Sequence, residues 1–231
     1  MDFEAWEPVY EAILADFGWD RTADERARDL LGAMLDGETV DPADLDMAGG
    51  TVAVAGAGPS LPRNLDDVRE ADLVVAASSA ADTIRDAGLA VDCLVTDLDK
   101  NPRTARELTR EGVPVAVHAH GDNVTELRTV VPGLDHAAVI PTTQAAPVEG
   151  VRNFGGFTDG DRAAFLADHL GAGDLRFPGW DFDDPDVGPE KARKLEWAER
   201  LLYWLERRRG TSFEVLDGRR AGIDTTPLSM D

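Results

Sequence analysis

Lysine is almost missing from this chain. Of 23 basic residues in 231, only Lys100, Lys191 and Lys194 are lysines, and 45 acidic residues bring the formal charge to −22. A surface so negative excludes a nucleic-acid footprint, which needs clustered Lys and Arg against phosphates. Cysteine is reduced to Cys93, so no internal disulfide can form, and its place inside an apolar run predicts a buried structural thiol. Long apolar runs are also absent. None approaches the roughly 20 residues a membrane-spanning helix needs, and the acidic start MDFEAWEPVYE lacks the basic flank of a secretion signal. A cytoplasmic protein is expected, with no repeat and no low-complexity tract.

Acidity can signal disorder, but 43% hydrophobic content with clear strand-like patterning argues for a folded chain. An acidic, lysine-poor surface is expected where cytoplasmic salt is very high and charge repulsion is screened, as in a halophile. An anionic substrate must then be received by local Arg, backbone N–H groups and metal ions, because the global field repels it.

Six short apolar runs are present, and most end in a polar or glycine cluster. TVAVAG leads to Gly56, Gly58 and Ser60; LVVAAS to Ser78 and Ser79; VDCLVTDLD to Thr96, Asp97 and Asp99. VPVAVHAHGDN leads to His118, His120, Asp122 and Asn123; HAAVIPTTQ to Thr142, Thr143 and Gln144; DLRFPGWDF to Gly179, Trp180 and Asp181. Near-continuous Val, Ala, Leu and Ile runs, spaced by helix-length segments, predict parallel strands covered on both faces. The fold class is α/β, a Rossmann-like, mostly parallel sheet of six strands with N-terminal and C-terminal helical additions. Ligands of such sheets bind beyond the carboxyl ends of the strands, where these polar clusters fall.

The expected organisation is an N-terminal helical region over 1–47, a catalytic α/β domain over 48–188, and a C-terminal helix and tail over 189–231. Phe3, Trp6, Tyr10, Ile13, Leu14 and Phe17 recur at helical spacing before Gly18, which makes them core. Thr22 with Glu25 reads as a capping box for a second helix. Pro189 opens a long helix that Gly210 stops, with Arg207 to Arg209 at its end. Beyond it, SFEVL reads as a short strand.

The stretch VRNFGGFTDGDRAA, residues 151–164, carries the strongest local signal for chemistry. Gly155 and Gly156 allow close backbone approach, Thr158 with Asp161 reads as a capping box, and free N–H groups at a helix start attract anions. Arg162 adds a planar fork for phosphate oxygens, and Asp159 and Asp161 suit Mg²⁺. Asp97 and Asp99, two apart, leave one face if the chain stays extended, and can share a cation. His118, His120 and Asp122 share that period; a His-x-His pair also suits zinc, the weaker reading in a chain with four histidines. GAGPSL is half a dinucleotide fingerprint, and the second strand closes on serines where a ribose-binding acid would stand, which disfavours hydride transfer.

Taken in order, GAGPSL, SSA, VTDLD, HAHGDN, NFGGFTDGDRA, GWDF and KARKL resemble the archaeal 6-hydroxymethyl-7,8-dihydropterin pyrophosphokinases, from about Trp6 to about Leu205. The resemblance implies transfer of a diphosphate from ATP to the pterin's hydroxymethyl group, with release of AMP and with Mg²⁺, in tetrahydromethanopterin or folate synthesis. The Asp-x-Asp and Thr-Asp elements are also similar to those of thiamin pyrophosphokinases. Lys100 departs from the glycine expected after the aspartate pair, and the tail from Thr211 has no counterpart in the resemblance.

The expected metal set is Asp97, Asp99, Asp122 and Asp159. Catalytic work is expected of Asp97, Asp99, Asp122 and Arg162. Nucleotide contacts are expected from Gly56, Gly58, Ser60, Ser79, Gly155, Gly156, Thr158, Asp159 and Arg162. Pterin contacts are expected from His120, Asn123, Gln144, Trp180 and Asp181, with Phe182 beside them. ATP and a reduced pterin are the implied partners, and a homodimer is compatible with the sequence. His118, His120 or an aspartate is the base. A metal-dependent glycosyltransferase and a non-catalytic nucleotide-binding module remain the alternatives.

Overall fold

The fold is described from a computed structural model, over residues 1–35 and 39–228. Two helices lead: α1 (Phe3–Phe17), capped by the Asp2 side chain and stopped by Gly18 in the left-handed region, and α2 (Arg21–Met34). Asp20, not Thr22, caps α2: its carboxylate accepts the Thr22 N–H at 3.0 Å, and Glu25 is drawn to Arg21 instead of closing a capping box. The expected box fails because the helix already starts at Arg21 under the Asp20 cap, which places Thr22 inside its first turn.

The six runs form six parallel strands: β1 (Thr51–Ala55), β2 (Leu73–Ala77), β3 (Cys93–Thr96), β4 (Val115–Ala119), β5 (Val139–Thr143) and β6 (Asp174–Arg176). Their order in the sheet is β5-β4-β3-β2-β1-β6. Between them run α3 (Leu65–Glu70), α4 (Ala80–Asp86), α5 (Pro102–Arg110), α6 (Val124–Val130) and α7 (Asp159–His169), and α8 (Pro189–Arg209) follows β6.

Side-chain alternation divides the core in two. Val52, Val54, Val75, Cys93, Val95, Ala116 and Ile140 face α1, α7 and α8. Ala53, Ala55, Val74, Ala76, Leu94, Val115, Val117 and Val139 face α2 to α6. Covering both faces is why these strands read as apolar runs instead of alternating ones. Cys93 is fully buried in the first cluster, and burial pushes its thiol up to about 12, an inert structural group as expected.

SFEVL is not a strand. Glu214–Leu216 is a single 3-10 turn that drops Phe213 and Leu216 onto the first cluster, so apolar burial is met there without sheet pairing. Arg219 and Arg220 tie this tail to Asp183, Glu199, Glu206 and Asp217. Among the described residues no helix is long and apolar enough to cross a membrane.

The chain reverses its direction across the sheet between β5 and β6, so the segments after β1 and β6 meet at the order switch. α7 lies over β1, β2 and β3 and starts just above their carboxyl ends. That placement brings loops distant in sequence into one cleft.

Candidate active site

A cleft of about 600 Å³ opens at the carboxyl ends of the strands. It falls within the size of small-molecule sites. Its floor carries Asp97, Asp99 and His120 from the ends of β3 and β4, its far wall Thr158, Asp159, Gly160 and Arg162 from the start of α7, and its rim Trp180, Asp181 and Phe182.

The acidic floor is built by a turn. β3 ends at Thr96, whose hydroxyl accepts the Leu98 N–H at 2.9 Å, and Leu98 takes φ 71°, with its side chain buried. The expected extended geometry is thus replaced by a left-handed residue between the two aspartates, a strained feature of the kind that marks functional sites, at a cost of about 1–3 kcal/mol. Both carboxylates nonetheless line the cleft.

His120 Nδ1 accepts the Asp122 N–H at 3.3 Å, which leaves the hydrogen on Nε2, 3.4 Å from Asp97 Oδ2. Burial works to raise the Asp97 carboxyl, but hydrogen bonding from His120 and Asp99 and the charge of Arg162 hold it below the carboxylate range. Burial and the charge of Asp97 raise Asp99. Burial, then Asp97, pushes Asp159 up to about 7 against the opposing Arg162. Carboxylates that repel one another in a half-enclosed site are what a divalent cation relieves. Among the described residues no three His, Cys, Asp or Glu groups form a ready-made metal cage.

Arg162 is committed elsewhere. Its side chain is only 8% exposed, Nη1 donates to Asp159 Oδ1 at 3.0 Å and Nη2 to Gln144 Oε1 at 3.0 Å, so the fork expected to meet phosphate instead holds a carboxylate in place. Gln144 in turn donates to Asp24 Oδ2 at 2.8 Å. Asp24, buried on α2, also accepts the Tyr10 hydroxyl at 2.7 Å and the Gly121 N–H at 2.7 Å. The N-terminal helices are thereby tied to Arg162 and to the turn after β4.

Several expected ligand contacts are spent within the protein. The Gly56 and Gly58 N–H groups donate to Pro178 O and Gly179 O, both at 2.9 Å, and a Cβ at Gly58 would sit 2.3 Å from Asp181 Oδ2. Those glycines let two loops touch; they do not offer N–H groups to phosphate. Ser60, outside the cleft lining, donates its N–H to Asp181 Oδ2 at 2.8 Å and fixes that carboxylate at the rim. Gly155 and Gly156, at φ 89° and 93°, pass beneath α7, where a Cβ on Gly156 would lie 2.6 Å from the Arg162 backbone. Asp161 is fully buried, and its carboxylate accepts the Phe157 and Thr158 N–H groups and the Thr158 hydroxyl, so it is a cap and not a metal donor.

Asn123 bridges Asp97 O and His118 O, locking two strand ends together away from any ligand. Asp122 lies exposed on the following turn and does not line the cleft. The chain leaves β4 at Ala119, so the two-residue period of His118, His120 and Asp122 breaks: His118 is enclosed against Thr142 at 3.1 Å, beneath the site. Burial, then Arg162 and His120, drives His118 well below the ordinary histidine value.

The family model for 6-hydroxymethylpterin diphosphokinase MptE-like proteins matches residues 33–187. This chain belongs to that family. It is 40% identical over 225 residues to the 6-hydroxymethyl-7,8-dihydropterin pyrophosphokinase of Methanothermobacter thermautotrophicus, covering 90% of this chain and 96% of that protein. It is 37% identical over 224 residues to the protein of the same name from Pyrococcus furiosus, and 32% over 232 to that from Methanocaldococcus jannaschii.

The span shared with the MptE-like model holds Asp97, Asp99, Asp159 and Trp180 and ends short of α8. Among the cleft-lining residues that sequence reasoning left out of the site are Trp19, Phe157, Lys191 and Lys194. Trp19 and Phe157 stand 5.8 Å apart around Phe17, a second aromatic pair besides Trp180 and Phe182. One signal was available, since Trp19 lies past the Gly18 stop and off the helical stripe of core aromatics.

Proposed function

We propose that this chain transfers a diphosphate from ATP to the hydroxymethyl group of 6-hydroxymethyl-7,8-dihydropterin and releases AMP. The observation that carries this reading is one cleft joining the carboxylates Asp97, Asp99 and Asp159 to two aromatic pairs, in a chain of this family. The reaction needs room for two flat heterocycles with a polyphosphate between them, and Trp19 with Phe157 and Trp180 with Phe182 offer two apolar surfaces in one cavity.

Mg²⁺ would be held by Asp97, Asp99 and Asp159, and when bound it neutralises polyphosphate charge as AMP leaves. His120 keeps Asp97 ionised and oriented. Gln144 holds Arg162, and Arg162 holds Asp159. In the transfer, the hydroxymethyl oxygen forms a bond to the β-phosphorus and gives up its proton to a carboxylate of the cleft and so to solvent, the bond from that phosphorus to the α,β-bridging oxygen breaks, and the electron pair leaves on AMP. Alignment and charge neutralisation dominate such a step, because a loose transition state asks little of a base. Asp181, fixed by the Ser60 N–H, is placed to accept the pterin's amino and ring N–H groups beside Trp180. His118 is removed from the candidates for base by its enclosure, and His120 because its Nδ1 lone pair is spent on the Asp122 N–H and its Nε2 carries the hydrogen toward Asp97, which leaves the carboxylates of the cleft.

The test is incubation of the purified protein with ATP, Mg²⁺ and reduced 6-hydroxymethylpterin, with products separated by anion-exchange chromatography. AMP and pterin diphosphate in equal amounts are expected. Release of ADP, or cleavage of a sugar nucleotide under the same conditions, contradicts the reading.

A further inference from the structure

Every lysine in the chain lines one cleft. Lys100, Lys191 and Lys194 all face the site, while every other basic side chain of the protein is an arginine. Lysine has been excluded from the remainder of the surface, so its three survivals need a local reason. Most of the arginines form ion pairs with neighbouring carboxylates, as a rigid bidentate fork does well.

The cations here are differently placed. Lys191 and Lys194 lie three residues apart near the start of α8, and Lys100 follows the aspartate pair. Lys194 Nζ lies 2.9 Å from Glu190 Oε1 and 5.2 Å from the Trp19 ring; Lys100 Nζ lies 3.0 Å from Asp99 Oδ2. Lys191 is exposed and has no ion-pair partner among the described residues. Arg162, the other base lining the cleft, has both terminal nitrogens engaged. The charge of −22 opposes the approach of a polyanion, so its binding depends on cations placed at the site. An ammonium on a flexible four-carbon stem has three rotatable donors and can reach phosphate oxygens at several positions in the cleft. The N-terminal end of the 21-residue α8, whose Glu190 also lines the cleft, adds its positive dipole there.

We propose that Lys191 and Lys194, with Lys100, form an ammonium cluster that receives the triphosphate of the nucleotide in the same cleft as the carboxylates Asp97, Asp99 and Asp159. This rests on reading the cleft as a nucleotide site, and its test separates the two. Titration calorimetry in molar KCl with Mg²⁺ measures affinity for α,β-methylene-ATP, which cannot transfer its diphosphate, and for AMP; tryptophan fluorescence measures the pterin. Lys191→Met with Lys194→Met lowers affinity for the triphosphate analogue at least tenfold, with AMP and pterin within about twofold of wild type. Lys191→Arg with Lys194→Arg, which keeps the charge, stays within about threefold. Unchanged analogue affinity in the double methionine variant overturns the proposal, as does an equal loss for AMP and pterin, which marks a merely structural role. A wild-type protein that binds no triphosphate also overturns it. If the wild type binds the analogue through these lysines yet releases no AMP from ATP, the lysine cluster stands and the transfer reading falls.

Discussion

Individual side chains in this cleft are valued by what is left free after the protein has used them. Asp97 and Asp99 each keep a carboxylate toward the cleft while anchoring little core, so Asp97→Asn and Asp99→Asn should each lower AMP release by at least a hundredfold with an unchanged circular dichroism spectrum. Turnover near wild type in both variants contradicts the metal assignment. His118 makes a second prediction, about stability. Its ring is enclosed, and burial depresses its folded value below the ordinary 6.5, so above pH 6.5 it is neutral in both states and its contribution is fully present. As pH falls below 6.5 the unfolded chain gains a proton that the folded chain does not, and stability drops through the window down to the depressed folded value, at about 1.4 kcal/mol per pH unit. His118→Gln keeps a partner for Thr142 without titrating, so its stability should fall less steeply between pH 6.5 and 5. Parallel slopes in urea melts of the two proteins would remove His118 as the acid-labile group.

Between elements, the decisive link runs from α1 and α2 to the start of α7 through Tyr10, Asp24, Gln144 and Arg162. Asp24→Asn leaves one acceptor oxygen and sets an NH₂ against either the Gly121 N–H or the Tyr10 and Gln144 donors, so we expect a loss of about 2–3 kcal/mol in chemical denaturation. AMP release should fall as well, because Arg162 loses the brace that fixes Asp159; a variant as stable and active as wild type contradicts the link. The same network marks where sequence legibility stops. Six strands were legible because burial on both faces writes them as apolar runs, and α8 was legible from Pro189 and Gly210. The carboxylates at the end of β3 were legible as chemistry because a strand end in an open α/β sheet faces ligand. What stayed hidden is partnership: Arg162 looks like a phosphate fork until Gln144, 18 positions away, occupies it, and Gly58 looks like a phosphate loop until Gly179 accepts its N–H. Trp19 drew no reading from the sequence, because its distance from the strand ends along the chain hides their meeting in space.

At the scale of the whole molecule, charge sets the conditions under which the site exists. A net −22 on 231 residues repels itself strongly when the Debye length is about 10 Å near 0.1 M salt, and far less when it is about 3 Å near 1 M. Thermal melting should therefore rise steadily with KCl, and Mg²⁺ with ATP should raise it further by binding only the folded state. A melting temperature indifferent to salt contradicts the halophilic reading of the surface, and one indifferent to saturating ligand counts against the cleft as the nucleotide site. The fold, the carboxylate floor and the paired aromatic surfaces all bear on one claim, that a diphosphate moves as a unit. Isotope tracing tests this most directly: ATP labelled at the β-phosphorus is turned over with reduced 6-hydroxymethylpterin and Mg²⁺. The account predicts that the β label leaves entirely with the pterin while a parallel α label stays on AMP; a β label retained on ADP would contradict it.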